Sequence, residues 1–155
     1  MIGKATLVAG APCSGKNSYV AQHMAPGDLV VDYDAIMAAL SGRDVHAHEA
    51  AIKPYVYEAR DRVIAKWLTR KDVDLWVIYG APRRADRDWY VRRGFRVVIM
   101  DTDERTCIRR ARDTRPSHWH RFIRRWFADY QPPLTTEQVE QASDEPAPAH
   151  VSRRW

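Results

Sequence analysis

The chain has 155 residues, 45% of them hydrophobic, with 25 Lys and Arg against 20 Asp and Glu for a net charge of +5. That is enough chain for one domain with its own core, and no apolar run approaches the length needed to cross a membrane. Only Cys13 and Cys107 are available for disulfides, and no signal peptide is visible before Gly10, so a reducing, cytoplasmic setting is expected.

Residues 4–9 hold the apolar run Ala5-Thr6-Leu7-Val8-Ala9 and read as a buried strand. Next comes Gly10-Ala11-Pro12-Cys13-Ser14-Gly15-Lys16-Asn17-Ser18, in which a glycine, four residues and Gly-Lys match the phosphate-cradling loop of nucleoside triphosphate enzymes. Glycines let successive N–H groups turn toward one anion, and the helix that follows, over 16–24, adds its positive end. Lys16 then reaches the β and γ phosphates as a point charge. After this lysine such loops ordinarily carry Ser or Thr, whose hydroxyl serves Mg²⁺. Here Asn17 stands in that place and Ser18 follows, and an amide oxygen is also a hard ligand. Cys13 occupies a position where many such loops have glycine. Its thiol lies beside N–H dipoles that favour the thiolate, or is simply a small group that fits.

A turn at Ala25-Pro26-Gly27-Asp28 leads to a second strand, Leu29-Val30-Val31, which ends at Asp32-Tyr33-Asp34. A helix is expected over 35–40, with Asp34 placed to cap it. A long helix follows, opened or kinked by Pro54, with Val56, Ala59, Val63 and Trp67 as its apolar face. Leu75-Trp76-Val77-Ile78-Tyr79 is a third strand, then comes a polar helix over 84–93 and a fourth strand over 95–100. Thr102 is expected to cap an arginine-bearing helix that breaks before Pro116, and Ser117 the helix after it. That last helix carries the stripe Trp119, Phe122, Ile123, Trp126, Phe127 and Tyr130, whose regular period reads as core more than as a base-stacking platform. Thr135 and Gln138 suggest a capping box for a short final helix to Ala142, giving a domain over 1–142 and a loose tail over 143–155. Strands alternating with helices imply an α/β fold with a parallel sheet covered on both faces, and such sheets bind ligands at the carboxyl ends of their strands.

That edge carries nearly every candidate for chemistry. Asp32 and Asp34 stand two apart after a strand. One can hold Mg²⁺ and the other can take a proton from an attacking hydroxyl; capping is the structural alternative. The third strand ends at Tyr79 with no acid, which argues against a mechanical ATPase and for a small kinase. Arg109, Arg110, Arg112 and Arg115 surround the break at Pro116, where a mobile arginine lid can stabilise developing charge. Arg105, Arg109 and Arg112 share one helix face and Arg110 another, so Arg110 and Arg115 are the candidates for the triphosphate. Arg83, Arg84, Arg121 and Arg124 are candidates for a nucleic-acid acceptor, with Arg125 on the same helix face as the last two. The basic balance suits a polyanion, or equally a solvated arginine-rich surface. Neither His118 with His120 nor His46 with His48 is spaced to hold a metal from a helix.

The loop from Gly10 to Asn17, the segment Val30-Val31-Asp32-Tyr33-Asp34, the strand end Ile78-Tyr79-Gly80-Ala81 and the arginine lid together resemble the polynucleotide kinase-like P-loop kinases. These small proteins are often phage-encoded and are commonly labelled AAA-type ATP-binding proteins. The resemblance runs over about residues 4–130. It implies a P-loop NTPase fold using ATP and Mg²⁺, with Asp34 as general base and Arg110 and Arg115 on the nucleotide. The sequence departs from that pattern at Met37, where the family often has an arginine for the acceptor phosphate, and at Tyr79-Gly80-Ala81, where it has Asp-Thr-Asn. The expected reaction is transfer of the γ-phosphate to a hydroxyl on nucleic acid, DNA favoured, either a 5′-hydroxyl end or a hydroxymethylated pyrimidine. A kinase of a free nucleoside or nucleotide and a nucleotide-dependent binding module are the alternatives.

Overall fold

The strand β1 (Ala5–Ala9) is buried at every position, as expected for a strand enclosed on both faces. The computed structural model describes residues 1–44, 47–134 and 138–140. His46, Thr135, the expected helix end at Ala142 and the tail over 143–155 lie outside these residues. Around β1 stand β2 (Leu29–Asp32), β3 (Leu75–Tyr79), β4 (Arg96–Met100) and β5 (Gln138–Glu140), in the order β2-β3-β1-β4-β5. All pairs are parallel. Ala9 lies beside Tyr79 and Ile99, and Asp32 beside Ile78. This register brings the chain after β1, β2, β3 and β4 to a single edge.

Alternate residues of each strand feed two cores. Leu7, Val31, Leu75, Val77, Val97 and Ile99 pack with Ile64 and Trp67 of α3 (Lys53–Arg70) and Tyr90 of α4 (Arg84–Val91). Val8, Trp76, Ile78, Val98 and Met100 pack on the other face with Tyr19 and Val20 of α1 (Lys16–His23). A third cluster joins Ala11 of the loop to Cys107 and Ala111 of α5 (Glu104–Thr114) and to Ile123 and Trp126 of α6 (Trp119–Asp129). The loop is thereby seated on the α5–α6 pair.

Several local expectations give way. The helix α2 (Tyr33–Ser41) starts earlier than its apolar run suggests, and its N-cap is Asp32, whose Oδ1 accepts from the N–H of Asp34 at 3.0 Å. Asp34 is therefore released from capping. Asp103, not Thr102, caps α5 by accepting from the N–H of Thr106 at 2.8 Å. His118 stands at the start of α6 with no side-chain cap, so Ser117 does not serve there. Gln138 belongs to β5, which pairs with β4, rather than to a helix. In α3 the buried residues are Val56, Ile64 and Trp67, while Val63 is exposed. Arg60 thus stands between Val56 and Ile64 at helical spacing, where an apolar residue would complete the face. Pro54 lies in the first turn and opens the helix, where its missing N–H costs nothing.

One wholly buried cation holds the site's rear wall. Arg87 has no exposed surface. Its Nη1 donates to Ala81 O at 2.9 Å and Pro82 O at 2.8 Å, and its Nη2 to Gln131 O at 2.6 Å. It also lies over the Tyr130 ring, with Cζ 5.8 Å from the centroid. The guanidinium fastens the turn after β3 to the chain leaving α6, where a shorter side chain leaves buried carbonyls without donors. Arg87→Met is expected to lower unfolding stability by about 3 kcal/mol, the scale for losing charge-assisted hydrogen bonds in a buried place. Urea titration would show this as a lower midpoint with an unchanged slope.

Candidate active site

The glycine-bearing loop leaves β1 at Gly10 with φ 154° and enters α1 at Gly15 with φ 97°. A Cβ on Gly10 would lie 2.6 Å from Ser14 Oγ and 3.0 Å from Met100 Cβ, so only glycine closes this turn. Cys13 holds φ 63°, a left-handed conformation that costs a side-chain-bearing residue about 1–2 kcal/mol. That is the physical reason for glycine at this place in similar loops. The curl is tied from three directions. Gly10 N donates to Gly80 O at 3.2 Å, Thr102 Oγ1 to Ser14 O at 2.9 Å, and Arg110 Nη1 to Cys13 O at 3.2 Å. Ser14 Oγ is buried without a hydrogen-bond partner, and no side chain caps the N-terminus of α1. An orphan hydroxyl beside a row of uncapped N–H groups suits a phosphate.

Lys16 Nζ donates to Gly10 O at 2.9 Å and Ala11 O at 2.7 Å. Burial lowers its pKa, while Asp34 and Asp32 oppose that shift. Asn17 Nδ2 donates to Asp32 Oδ2 at 2.8 Å, which leaves the amide oxygen of Asn17 free of that bond. Burial, and then the charge of Asp34, raise the pKa of Asp32, against the bonds from Asn17 and the Asp34 N–H. Asp32 and Asn17 thus place two hard oxygen donors beside the loop. Among the described residues no cluster of three or more His, Cys, Asp or Glu could hold a metal ion. Such a donor set would suit Mg²⁺ held mainly by phosphates and water, with one or two protein ligands. Ser18 lies one residue further along α1, outside the lining of the cleft.

Asp34 has a partner that the sequence did not suggest. His48 Nε2 and Asp34 Oδ1 are 2.8 Å apart. The imidazole meets the Tyr33 ring edge-on at 5.7 Å and the Trp119 ring at 5.4 Å. Aromatic packing on two sides fixes the ring against Asp34.

These groups open onto a cleft of about 440 Å³. Tyr57, Arg60 and Tyr79 line it, as do Trp119, Phe122 and Trp126 of α6, with Lys53, Arg115 and Arg125 adding positive charge. Arg60 Cζ lies 5.1 Å from the Tyr57 ring centroid and 5.6 Å from that of Tyr79, so the cation is held in place. The α6 stripe therefore divides. Ile123 is core, while Trp119, Phe122 and Trp126 also face the cleft. Trp126 Nε1 donates to Gly80 O at 2.8 Å, tying that wall to the end of β3.

Of the arginines expected to form a lid, Arg110 reaches the loop and Arg115 lines the cleft, with Cζ 5.4 Å from the Trp119 ring centroid and a buried Nε without a partner. The four expected acceptor arginines do not line the cleft. Arg83 pairs with Asp129 at 3.7 Å. Arg84 Nε donates to Pro132 O at 2.8 Å, so this side chain is committed to holding the chain after α6. Arg121 is exposed, and Arg124 faces a separate groove. Lys53, Arg60 and Arg125 line the cleft instead, with Arg60 paired to Asp61 at 2.8 Å and Arg125 to Asp129 at 3.8 Å. The available signal was Arg60 itself, a charge at the i+4 position from Val56 on an otherwise apolar face. Nothing local marks His48, because Asp34 meets it only after the α2–α3 connection folds back.

Solved structures share this fold. A gluconokinase from Sinorhizobium meliloti 1021 superposes with TM-score 0.60 at 16% identity, over 94% of this chain and 86% of that one. A chain of the Pnkp1/Rnl/Hen1 RNA repair complex gives 0.60 at 14%, over 83% of this chain and 44% of that one. Shikimate kinase from Aquifex aeolicus vf5 gives 0.53 at 13%, over 92% and 89%. The α/β fold, with its parallel sheet flanked by helices, is shared with this gluconokinase and this shikimate kinase. No protein-family model matches the chain, and no curated protein does.

Asp32→Asn keeps a good N-cap and removes the like charge beside Asp34. Because the folded state raises the pKa of Asp32 above its ordinary value, its ionised form destabilises the fold above the folded pKa. That cost is absent below the unfolded pKa. In metal-free buffer the variant should therefore melt at a higher temperature than wild type at pH 7–8. The difference should shrink as pH falls into the carboxylate range, and thermal melts across pH would check it.

Proposed function

We propose that this protein is a P-loop kinase that transfers the γ-phosphoryl group of ATP to a hydroxyl on a nucleic acid, DNA favoured. The observation that carries this reading is the placement of Asp34, supported by His48, in the same cleft as Lys16 and the phosphate loop. A 5′-hydroxyl end and a hydroxymethylated pyrimidine both present a primary alcohol that would suit such a base.

Lys16 and the loop N–H groups bind the β and γ phosphates and neutralise the charge that shifts toward the leaving oxygen. Asn17 and Asp32 would hold Mg²⁺, which supplies further charge neutralisation when bound. Asp34 accepts the acceptor's proton as the alcohol oxygen bonds to phosphorus and the bridging bond to the β phosphate breaks. His48, bonded to Oδ1, orients the carboxylate so that Oδ2 is available for that proton. Arg110 and Arg115 stand where they can stabilise the transferring group, and the aromatic walls can stack an acceptor base.

A free nucleoside or nucleotide is the second reading. It is favoured by the cleft volume of about 440 Å³, which falls within the range of small-molecule sites. Transfer of labelled γ-phosphate onto 5′-hydroxyl DNA, 5′-hydroxyl RNA, DNA containing hydroxymethyluracil and free nucleosides decides between the two. Labelling of nucleosides alone removes the polymer reading, and labelling of nothing while ATP still binds leaves a nucleotide-dependent binding module.

Two variants test the roles. Asp34→Asn should lower kcat by about 10²–10⁴-fold, the range for general-base loss, with ATP affinity retained. If transfer continues unchanged, Asp34 is not the base. His48→Gln should lower kcat about tenfold with little change in KM for ATP, since it acts through Asp34; a change confined to KM would contradict the positioning role.

A further inference from the structure

We infer that a second groove, lined by Arg105, Arg109 and Arg112 of α5 and Arg124 of α6, docks the phosphodiester backbone of a single-stranded nucleic acid whose reactive hydroxyl occupies the cleft. The inference rests on the nucleic-acid reading above and adds a site to it. The groove encloses about 650 Å³, and its other lining residues are Glu104 and Ile108.

The charge pattern distinguishes this face from an ordinary solvated helix surface. Arg105, Arg109 and Arg112 follow one another at helical spacing, each about one 5.4 Å turn from the next, so three like charges stand in a row. Like charges at this spacing disfavour the helix. In α3 and α6 part of the arginine charge is relieved locally. In α3, Arg62 pairs with Glu58 at 2.7 Å and Arg60 with Asp61 at 2.8 Å. Among the described residues none of the four groove arginines forms an ion pair. Asp103, near Arg109, is engaged in capping Thr106. Glu104 is the one carboxylate in the lining, which leaves an excess of positive charge for an external anion.

The anion's class follows from the groove's chemistry and place. Guanidinium forks bind phosphate oxygens in a bidentate manner. Repetition at one helical turn suits a ligand with repeating phosphates rather than one terminal group. The groove and the cleft meet at α6, which lines both, while α5 lines only the groove. Arg109 faces the groove while Arg110 reaches Cys13 O, and Arg124 faces the groove while Arg125 lines the cleft. A mononucleotide in the cleft cannot also fill a groove beyond α6, but a strand can occupy both. The sole apolar lining residue is Ile108, which offers no surface for membrane insertion.

The test uses the full chain and a fluorescent 12-nucleotide single-stranded DNA with a 5′-hydroxyl, with anisotropy measured from 50 to 300 mM salt. The variant R105Q/R109Q/R112Q/R124Q is compared with wild type and with a charge-matched control, R62Q/R70Q/R92Q/R93Q. The groove variant should bind at least tenfold more weakly at 50 mM salt. The slope of its log affinity against log salt should flatten by about 3, from roughly 0.7 counterions released per phosphate contact over four contacts. ATP affinity should hold, the melting temperature should not fall, and the control should match wild type in DNA binding. Should the quadruple variant fail to fold, R105Q/R124Q is measured for half the change in slope. Equal loss in the groove variant and the control, or no loss in either, overturns the groove while leaving the nucleic-acid reading in place. Absence of oligonucleotide binding by wild type that still binds ATP overturns both. Tighter binding of polyglutamate than of DNA assigns the groove to an acidic protein and overturns the proposal.

Discussion

Gly10 leaves the central strand with its N–H bonded to Gly80 O, and the curl between it and Gly15 is the constraint on which the rest of the molecule depends. A loop that turns its N–H groups inward, rather than to one another's carbonyls, has few internal hydrogen bonds to hold its shape. It must be supported from outside. Here β3 supports it through Gly80, the segment after β4 through Thr102, and α5 through Arg110. The parallel sheet brings these supports to one edge because its register aligns Ala9 with both Tyr79 and Ile99. Arg87 extends the support outward by fastening the turn beyond Gly80 to the end of α6.

The charges at this edge are arranged at a cost to the fold. Asp32 is buried beside Asp34 with its pKa raised, and Lys16 is buried with its pKa lowered. Each shift shows that the ionised form is disfavoured by its surroundings as they stand. Under the proposed function a phosphate would bring negative charge to the lysine and a divalent cation positive charge to the carboxylates, so binding would relieve both strains. Such departures from the most stable arrangement are characteristic of sites that act on ligands.

The helices α5 and α6 have two working faces. Their inner residues form a core with Ala11 of the loop, and their outer residues carry arginines. Adjacent residues therefore have different duties: Arg109 and Arg110 diverge on α5, and Arg124 and Arg125 on α6. A helix turns about 100° per residue, so neighbours in sequence serve different surfaces without any break in the element.

Much of this was legible in the residues themselves. The glycine turns of the loop after β1, the strands β1 to β4 and the parallel α/β arrangement follow from local signals, namely glycine spacing, continuous apolar runs and turn residues. Asp32 and Asp34 were recognisable as a pair at a strand's end for the same reason. Which of them caps α2 was not, because that depends on whether the helix begins at Tyr33 or Ala35, and Asp32 Oδ1 settles it. The contact of His48 with Asp34, the seating of Arg60 between Tyr57 and Tyr79, and the exclusion of Arg83, Arg84, Arg121 and Arg124 from the cleft came only with the tertiary structure. A hydrophobic period identifies the face a helix buries, but a long cationic side chain reaches several ångströms from its backbone. Its destination depends on which rings and carboxylates other elements bring within that reach, and those distances do not exist until the chain has folded.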